Sequence, residues 1–213
     1  MASSSLALRV LTPDDYKRST WKNGLGHTDE IAIHPDGADL RRGDFLWRLS
    51  SARIEQASPF SVFPNHDRIL IVLKGEGVHL THTFEPGADE EEVDVPPLSA
   101  YEFPGDIPSR CELLNGPITD LSIFVRKAEV EAMADTVTIN EGEPYSWVPS
   151  GRWNFAFAAG GQFGVESPRC EPQRLMEGQT LRIDLSQALT EDQAIEFHAL
   201  SGEGQLVLVS LQG

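Results

Sequence analysis

Basic side chains are scarce in this 213-residue chain, with 17 lysines and arginines against 33 aspartates and glutamates and a formal net charge of −16. A surface so acidic repels phosphate backbones and anionic membrane faces, which argues against nucleic-acid and membrane partners. Cysteine is nearly absent. Cys111 and Cys170 show neither metal-ligand nor disulfide-scaffold spacing, so a soluble, reducing, cytoplasmic setting is expected and both thiols read as incidental. Long apolar runs are missing too. The early stretch "LALRVL" is short and interrupted by Arg9, unlike a secretory leader, and nothing approaches the ~20 apolar residues of a membrane span. A helical period of useful length is also lacking. The one ambiguous stretch, "RKAEVEAMADTV" (126–137), fits either a helix or a strand leaving a barrel.

What is present is punctuation. Glycines and prolines, 18 and 14 of them, separate short runs rich in Val, Ile, Leu, Phe and Thr, the pattern of an all-β sandwich or barrel. Hydrophobic residues make up 40% of the chain, enough to fill one large core or two small ones. The acidic run "GADEEEVDV" (87–95) reads as a solvated hairpin tip. "IVLKGEGVHLTHTF" (71–84) is echoed by "HALSGEGQLVLVSL" (198–211), each an apolar strand, a Gly-Glu-Gly turn and a second apolar strand. Such glycines reach positive φ without steric cost, so both stretches are expected to be hairpins. The echo points to a duplication, with an N-terminal barrel over 1–126 and a C-terminal one over 127–213. The second hairpin ends the sequence, so that barrel lacks later strands. "SLALRVL" (5–11) is a candidate to supply one, which would make the units intertwined, with "GEPYSWVPSGRW" (142–153) as the crossover.

The first hairpin, with "FPGD" (103–106) downstream, resembles the cupin barrel. Metal-binding cupins carry two His and a Glu before this hairpin and a further His after the Pro-Gly turn, donors suited to divalent transition metals. Here those positions fall on Val62, Pro64, Arg68 and Pro108. The histidines do not rebuild the set. His79 and His82 point to opposite faces of one strand, and His27, His34, His66 and His198 show no ligand spacing. No metal and no other cofactor is expected. Arg68 instead places a planar guanidinium where the carboxylate ligand would stand. It can hold a ligand's carboxylate through two bonds, or pair with Asp67 or Asp106 at the rim.

"WKNGLGHTDEIA" (21–32), "FLWRLSSARI" (45–54), "SPFSVFPNHDRILIVLKGEG" (58–77), "FPGD" and "GPITDLSIFVR" (116–126) together closely resemble the HutD/Ves family of metal-free bicupins. The chain departs from the family pattern at Leu25, Ser58, Asn65 and Ser122. The resemblance implies an all-β bicupin, two fused and intertwined cupin-like barrels or sandwiches, with a pocket for a small acid and an association with histidine utilisation.

The residues themselves describe a pocket with a few oriented polar groups. Lys22, Asn23, Thr28, Arg48, Ser50, Ser61, Arg68 and Phe103 are the candidate ligand-binding residues, with Trp47, Phe60 and Phe103 as aromatic walls. Alternation places Thr28 and Glu30 opposite Ile31 and Ile33 on their strand, and Arg48 is read either as a cross-strand partner of Glu30 or as a second anion donor. Glu30 and His79 are the candidate catalytic groups should the protein be an enzyme, with His27 and Lys22 behind them. No nucleophile elbow, phosphate loop or paired-acid motif is present. The residues point to binding more than to chemistry, and the resemblance implies that the ligand is a small carboxylate-bearing, amino-acid-derived molecule bound in a sensing role. A metal-independent lyase, dehydratase or isomerase is the alternative, and the protein is expected as a monomer or homodimer.

Overall fold

The computed structural model describes residues 7–21, 24, 26–84, 87, 89–168, 170–187 and 189–213. The first strands are β1 (Ala7–Leu11), β2 (Lys17–Thr20) and β3 (Gly26–His34). Eight follow: β4 (Trp47–Ile54), β5 (Ser58–Pro59), β6 (His66–Lys74), β7 (Val78–His82), β8 (Glu91–Val95), β9 (Ala100–Pro104), β10 (Ser109–Leu113) and β11 (Ile118–Arg126). A second eight complete the chain: β12 (Glu131–Asn140), β13 (Tyr145–Trp147), β14 (Trp153–Gly160), β15 (Gln162–Ser167), β16 (Cys170–Met176), β17 (Thr180–Asp184), β18 (Ile195–Ala199) and β19 (Glu203–Gln212). The ambiguous stretch after Arg126 is strand β12, paired with β19 along its length. Among the described residues, no helix is long and apolar enough to cross a membrane.

Contacts divide the chain into Tyr16–Val130 and a second unit that joins the residues up to Asp15 to Glu131–Gly213. In the first unit a six-stranded sheet, ordered β2-β3-β4-β11-β6-β9, packs on a four-stranded sheet, β5-β10-β7-β8. Ile54, Leu70, Val72 and Ile118 of the larger sheet meet Val78, Leu80, Val95 and Cys111 of the smaller one in a shared core. The second unit repeats the plan with the sheets β1-β17-β14-β19-β12 and β13-β18-β15-β16. Its core gathers Phe163, Phe197, Leu175, Leu181, Ile183 and Leu206. Each unit is a sandwich of two open sheets. The division falls after Val130, and β1 lies antiparallel to β17, so the first strand belongs to the C-terminal unit's sheet.

Strand by strand, the run β4-β11-β6-β9 corresponds to β12-β19-β14-β17, and β5-β10-β7-β8 to β13-β18-β15-β16. One eight-strand topology is therefore used twice. The Gly-Glu-Gly echo belongs to non-equivalent places in it. β6 and β7 lie in different sheets, as do β18 and β19, so neither pair is a hairpin. Both turns are corners that carry the chain between layers, in opposite directions. The counterpart of the corner at Gly75 and Gly77 (φ 103° and 108°) is Gly161 (φ 82°), and the counterpart of Gly202 is Gly116. Turn chemistry alone does not say which sheet the next strand joins.

A run of hydrogen-bond registers then places the polar residues of the N-terminal unit. β11 lies between β4 and β6, with Phe124 opposite Arg48 and Arg68, Ser122 opposite Ser50 and Leu70, and Asp120 opposite Ala52 and Val72. Thr28 and Glu30 on β3 stand opposite Ala52 and Ser50. A bulge between Glu30 and Ala32 then shifts the register, which brings Ile33 opposite Arg48. This overturns the simple alternation expected for β3, because a bulge flips every side chain beyond it to the other face.

Candidate functional site

The inner face of the six-stranded sheet changes character along its length. At one end Ile54, Leu70, Val72 and Ile118 fill the sandwich core. At the other the same face opens into a cleft of about 500 Å³ whose floor is Arg48, Ser50, Arg68, Asp120, Ser122 and Phe124. These are i, i+2 positions on three adjacent strands, so pleating alone aims them at one space.

Arg68 is 7% exposed, and its guanidinium lies over the Phe60 ring with Cζ 3.9 Å from the centroid. Phe124 and Phe103 flank it at 5.1 and 5.6 Å. Nη2 donates to Ser122 Oγ at 2.8 Å and reaches Asp120 Oδ2 at 3.4 Å, while Nε donates more weakly to Ser122 Oγ at 3.3 Å. Burial pulls the guanidinium down to about 10, against the pull of the Asp120 charge, and it remains a cation at neutral pH. Asp120 is 1% exposed. Its Oδ1 accepts the Ala52 N–H at 2.9 Å, and its Oδ2 accepts the Ser122 hydroxyl at 3.2 Å. Burial nevertheless pushes this carboxyl above the ordinary range, outweighing Arg68 and the hydrogen bonds. Behind the floor, burial pushes the Cys111 thiol up to about 12.

Arg48, 5% exposed, donates through Nε to Glu30 Oε2 at 2.9 Å and through Nη1 to Ser50 Oγ at 3.0 Å. Arg48 thus pairs with Glu30 across the strands and also lines the cleft. Thr28 lines the same space and accepts the Trp21 indole N–H at 2.9 Å. Ser61 is at the wall. Lys22 and Asn23 lie outside the described residues.

Other candidates lie elsewhere. Phe103 is buried in the sandwich core, stacked behind Phe60. Trp47 is fully buried and stacks on His34, on the face opposite Arg48. His79 is away from the cleft, on the four-stranded sheet, where Asp94 bonds its Nδ1 at 2.7 Å and raises its pKa. Glu30 is committed to Arg48. The expected partners of Arg68 are also corrected. Asp67 and Asp106 pair with Lys127, at 3.6 and 2.8 Å, and Arg68 turns inward to Asp120. Asp120 and Phe124 were not among the candidates. Their signal was a lone carboxylate two residues before a serine and four before a phenylalanine, within the otherwise apolar "ITDLSIFV".

A cupin-type metal does not fit this site. The positions of the ligand set hold Val62, Pro64, Arg68 and Pro108, and Arg68 fills the space as a cation. His66 has both ring nitrogens against carbonyl oxygens, of Pro64 and Phe45, at 2.8 and 3.0 Å. Among the described residues no three His, Cys, Asp or Glu side chains are grouped to hold a metal ion.

The chain is 38% identical over 118 residues to an uncharacterised 21.2 kDa protein in the hutC 3′ region of Pseudomonas putida. That match spans 55% of this chain and only 57% of the relative. Two solved structures match almost end to end. A conserved protein of unknown function from Pseudomonas aeruginosa PAO1 is 29% identical with a TM-score of 0.82, covering 97% of this chain and all of its own. HutD from Pseudomonas fluorescens SBW25 is 28% identical with a TM-score of 0.74 and the same coverage. Hazelnut vicilin (TM-score 0.69, 10% identical, 94% and 84% covered) and the oxalate decarboxylase of Lactobacillus farciminis (0.66, 9%, 98% and 86%) share the cupin-like fold alone. The HutD family model matches residues 13–202, and the chain belongs to the HutD family.

Proposed function

We propose that the cleft of the N-terminal unit binds a small carboxylate-bearing, amino-acid-derived molecule, and that the protein acts as a sensor in amino-acid catabolism. One observation carries the reading. Two arginines, each more than nine-tenths buried, line one cleft, and Arg48 Nη2 and Arg68 Nη1 make no hydrogen bond among the described residues. Guanidinium N–H groups in a partly desolvated site are strong donors to a carboxylate. Phe60, Phe63 and Phe124 supply apolar walls for the rest of such a molecule. The family relationship and the relative beside hutC support a place in histidine breakdown or a similar pathway.

A metal-independent lyase or isomerase is the second reading, favoured by one observation. Asp120 is a carboxyl with a raised pKa at the cleft floor, and the Ser122 hydroxyl bonded to its Oδ2 can relay a proton to it from a substrate, as general-base catalysis requires. Calorimetric titration with short dicarboxylates and N-acylated amino acids tests the first reading. Arg68→Lys keeps the charge and loses the planar fork, so affinity for any acid bound by the parent should fall roughly tenfold. Unchanged affinity removes Arg68 from the site. Proton NMR of the bound acids after prolonged incubation separates the readings, since a sensor returns them unaltered.

A further inference from the structure

We infer that the cleft takes up its carboxylate together with one proton, received by Asp120 at Oδ2 and converted by Ser122 into a hydrogen bond toward the bound anion. This rests on the carboxylate reading of the same cleft and adds what happens to charge when the ligand arrives.

The starting point is the charge count. Among the described residues, β4 and β6 give the site two cations, Arg48 and Arg68, and β3 and β11 give it two carboxylates, Glu30 and Asp120. β10 contributes the Cys111 thiol, which burial keeps protonated. Each cation already has its anion, at 2.9 Å for Arg48–Glu30 and 3.4 Å for Arg68–Asp120. An incoming carboxylate therefore adds an unbalanced negative charge to a region screened from water, where two like charges ionise together only at high cost.

Of the two acids, Asp120 is the one placed to give way. Glu30 is the more exposed and its bond to Arg48 has the length of a full charge-assisted contact. The Arg68–Asp120 contact is longer than that, and Arg68 makes its short bond to Ser122 Oγ instead. A ligand ammonium group is the other conceivable neutraliser. With Asp120 1% exposed and both its oxygens occupied, no surface is left for one to touch. A proton needs none.

The hydrogen bonds balance in both states. With Asp120 ionised, Ser122 Oγ–H donates to Asp120 Oδ2 at 3.2 Å. A proton from solvent at Oδ2 reverses this bond, so that Oδ2–H donates to Ser122 Oγ. The serine's own proton swings into the cleft and donates to the ligand carboxylate. Arg68 Nη2 keeps its bond to Ser122 Oγ and the Ala52 N–H keeps Oδ1, while the weaker Nε contact to Ser122 Oγ, 3.3 Å long, gives way to the new Oδ2–H donor and turns to the ligand carboxylate. The burial that raises the Asp120 pKa favours the same outcome.

The test is titration of acetate, phenylacetate and N-acetylglycine into the whole protein at about pH 7.5, in triethanolamine and in Tris, two buffers that are not oxyanions and whose heats of ionisation differ. Wild-type heats should differ by close to one buffer ionisation per anion bound, and affinity should fall about tenfold per pH unit on the alkaline side. Asp120→Asn imitates the protonated acid, with an amide N–H toward Ser122. It should bind without buffer dependence, with affinity level across pH and at least tenfold tighter than wild type near pH 8. Wild-type binding with no proton uptake and no pH slope overturns the coupling and leaves the carboxylate reading standing. Failure of wild type to bind acetate, phenylacetate or N-acetylglycine overturns both. If the variant does not fold, the wild-type proton count decides alone.

Discussion

Arg68 serves the fold as well as the cleft, because it is the cation beside an acid that is 1% exposed. Arg68→Ala strands Asp120 without its partner, and breaking a buried pair from one side costs about 3–5 kcal/mol. Arg68→Met with Asp120→Leu removes both charges and should cost clearly less than the single change, read from denaturant midpoints. This role was hidden in the sequence because Arg68 and Asp120 meet only through the β6–β11 pairing, far apart along the chain. Pairing with the neighbours Asp67 and Asp106 was the local alternative, and Lys127 takes both. The histidines of β7 give a second residue-scale prediction, on pH. His82 is fully buried, bonded at Nδ1 to Ser109 and, among the described residues, without a hydrogen-bond partner at Nε2, and burial lowers its pKa. Its contribution to stability is present above the unfolded value of about 6.5 and is lost as pH falls below that toward the folded pKa. Asp94 raises the pKa of His79, so its contribution has the opposite sign, present below about 6.5 and lost as pH rises through the folded value. Melting curves between about pH 5 and 8 should show His82→Phe losing less stability in acid than wild type, and His79→Gln losing more.

The two Gly-Glu-Gly corners look alike as sequence and differ as elements. Gly75 and Gly77 have φ of 103° and 108°, and a Cβ there would meet Ile118 Cγ2 at 2.7 Å and the Val95 carbonyl oxygen at 2.6 Å respectively. Gly202 sits at φ 60° with nothing within 4 Å of an added Cβ. Gly77→Ala therefore adds a backbone clash to conformational strain and should cost about 2–4 kcal/mol, while Gly202→Ala should cost about 1 kcal/mol and Gly202→Asn less. Equal losses from the two alanines, in urea unfolding, would contradict this account of the corners. Glycine and proline punctuation made the all-β architecture legible, and short apolar runs located most strands. The layer each strand joins was not legible, since it depends on pairing partners distant in sequence. Nor was the β3 bulge, which moved Ile33 to the Arg48 side of the sheet. Within the site, alternation did connect Arg48 with Glu30, and the resemblance to the cupin ligand pattern singled out Arg68. It missed Asp120 because a charged residue in an apolar strand signals a site only once that strand is known to be central.

At the scale of the whole molecule, the repeated eight-strand plan leaves one strand unmatched beside β17. β1 fills that edge, pairing from Ala7 opposite Asp184 to Leu11 opposite Thr180. Leu8 and Val10 pack against the core of the C-terminal unit, and Leu11 is 5% exposed. A fully buried leucine contributes about 1.5–3 kcal/mol, and the two partly buried neighbours add to it. Deleting residues 1–12 removes these contacts and also bares the edge of β17, a row of unpaired N–H and C=O groups open to association with another copy. A loss of about 3 kcal/mol in a protein of this size should lower the melting temperature by roughly 6–12 °C. Concentration-dependent aggregation should accompany it, measured by light scattering during the melt. The cleft provides an internal control, because its floor residues belong to β4, β6 and β11 of the other unit. Below its melting temperature the truncated protein should retain the affinity of the full chain for any carboxylate that the full chain binds. A truncated protein that melts within a degree or two of the parent would show that β1 does not carry the edge of the C-terminal sheet.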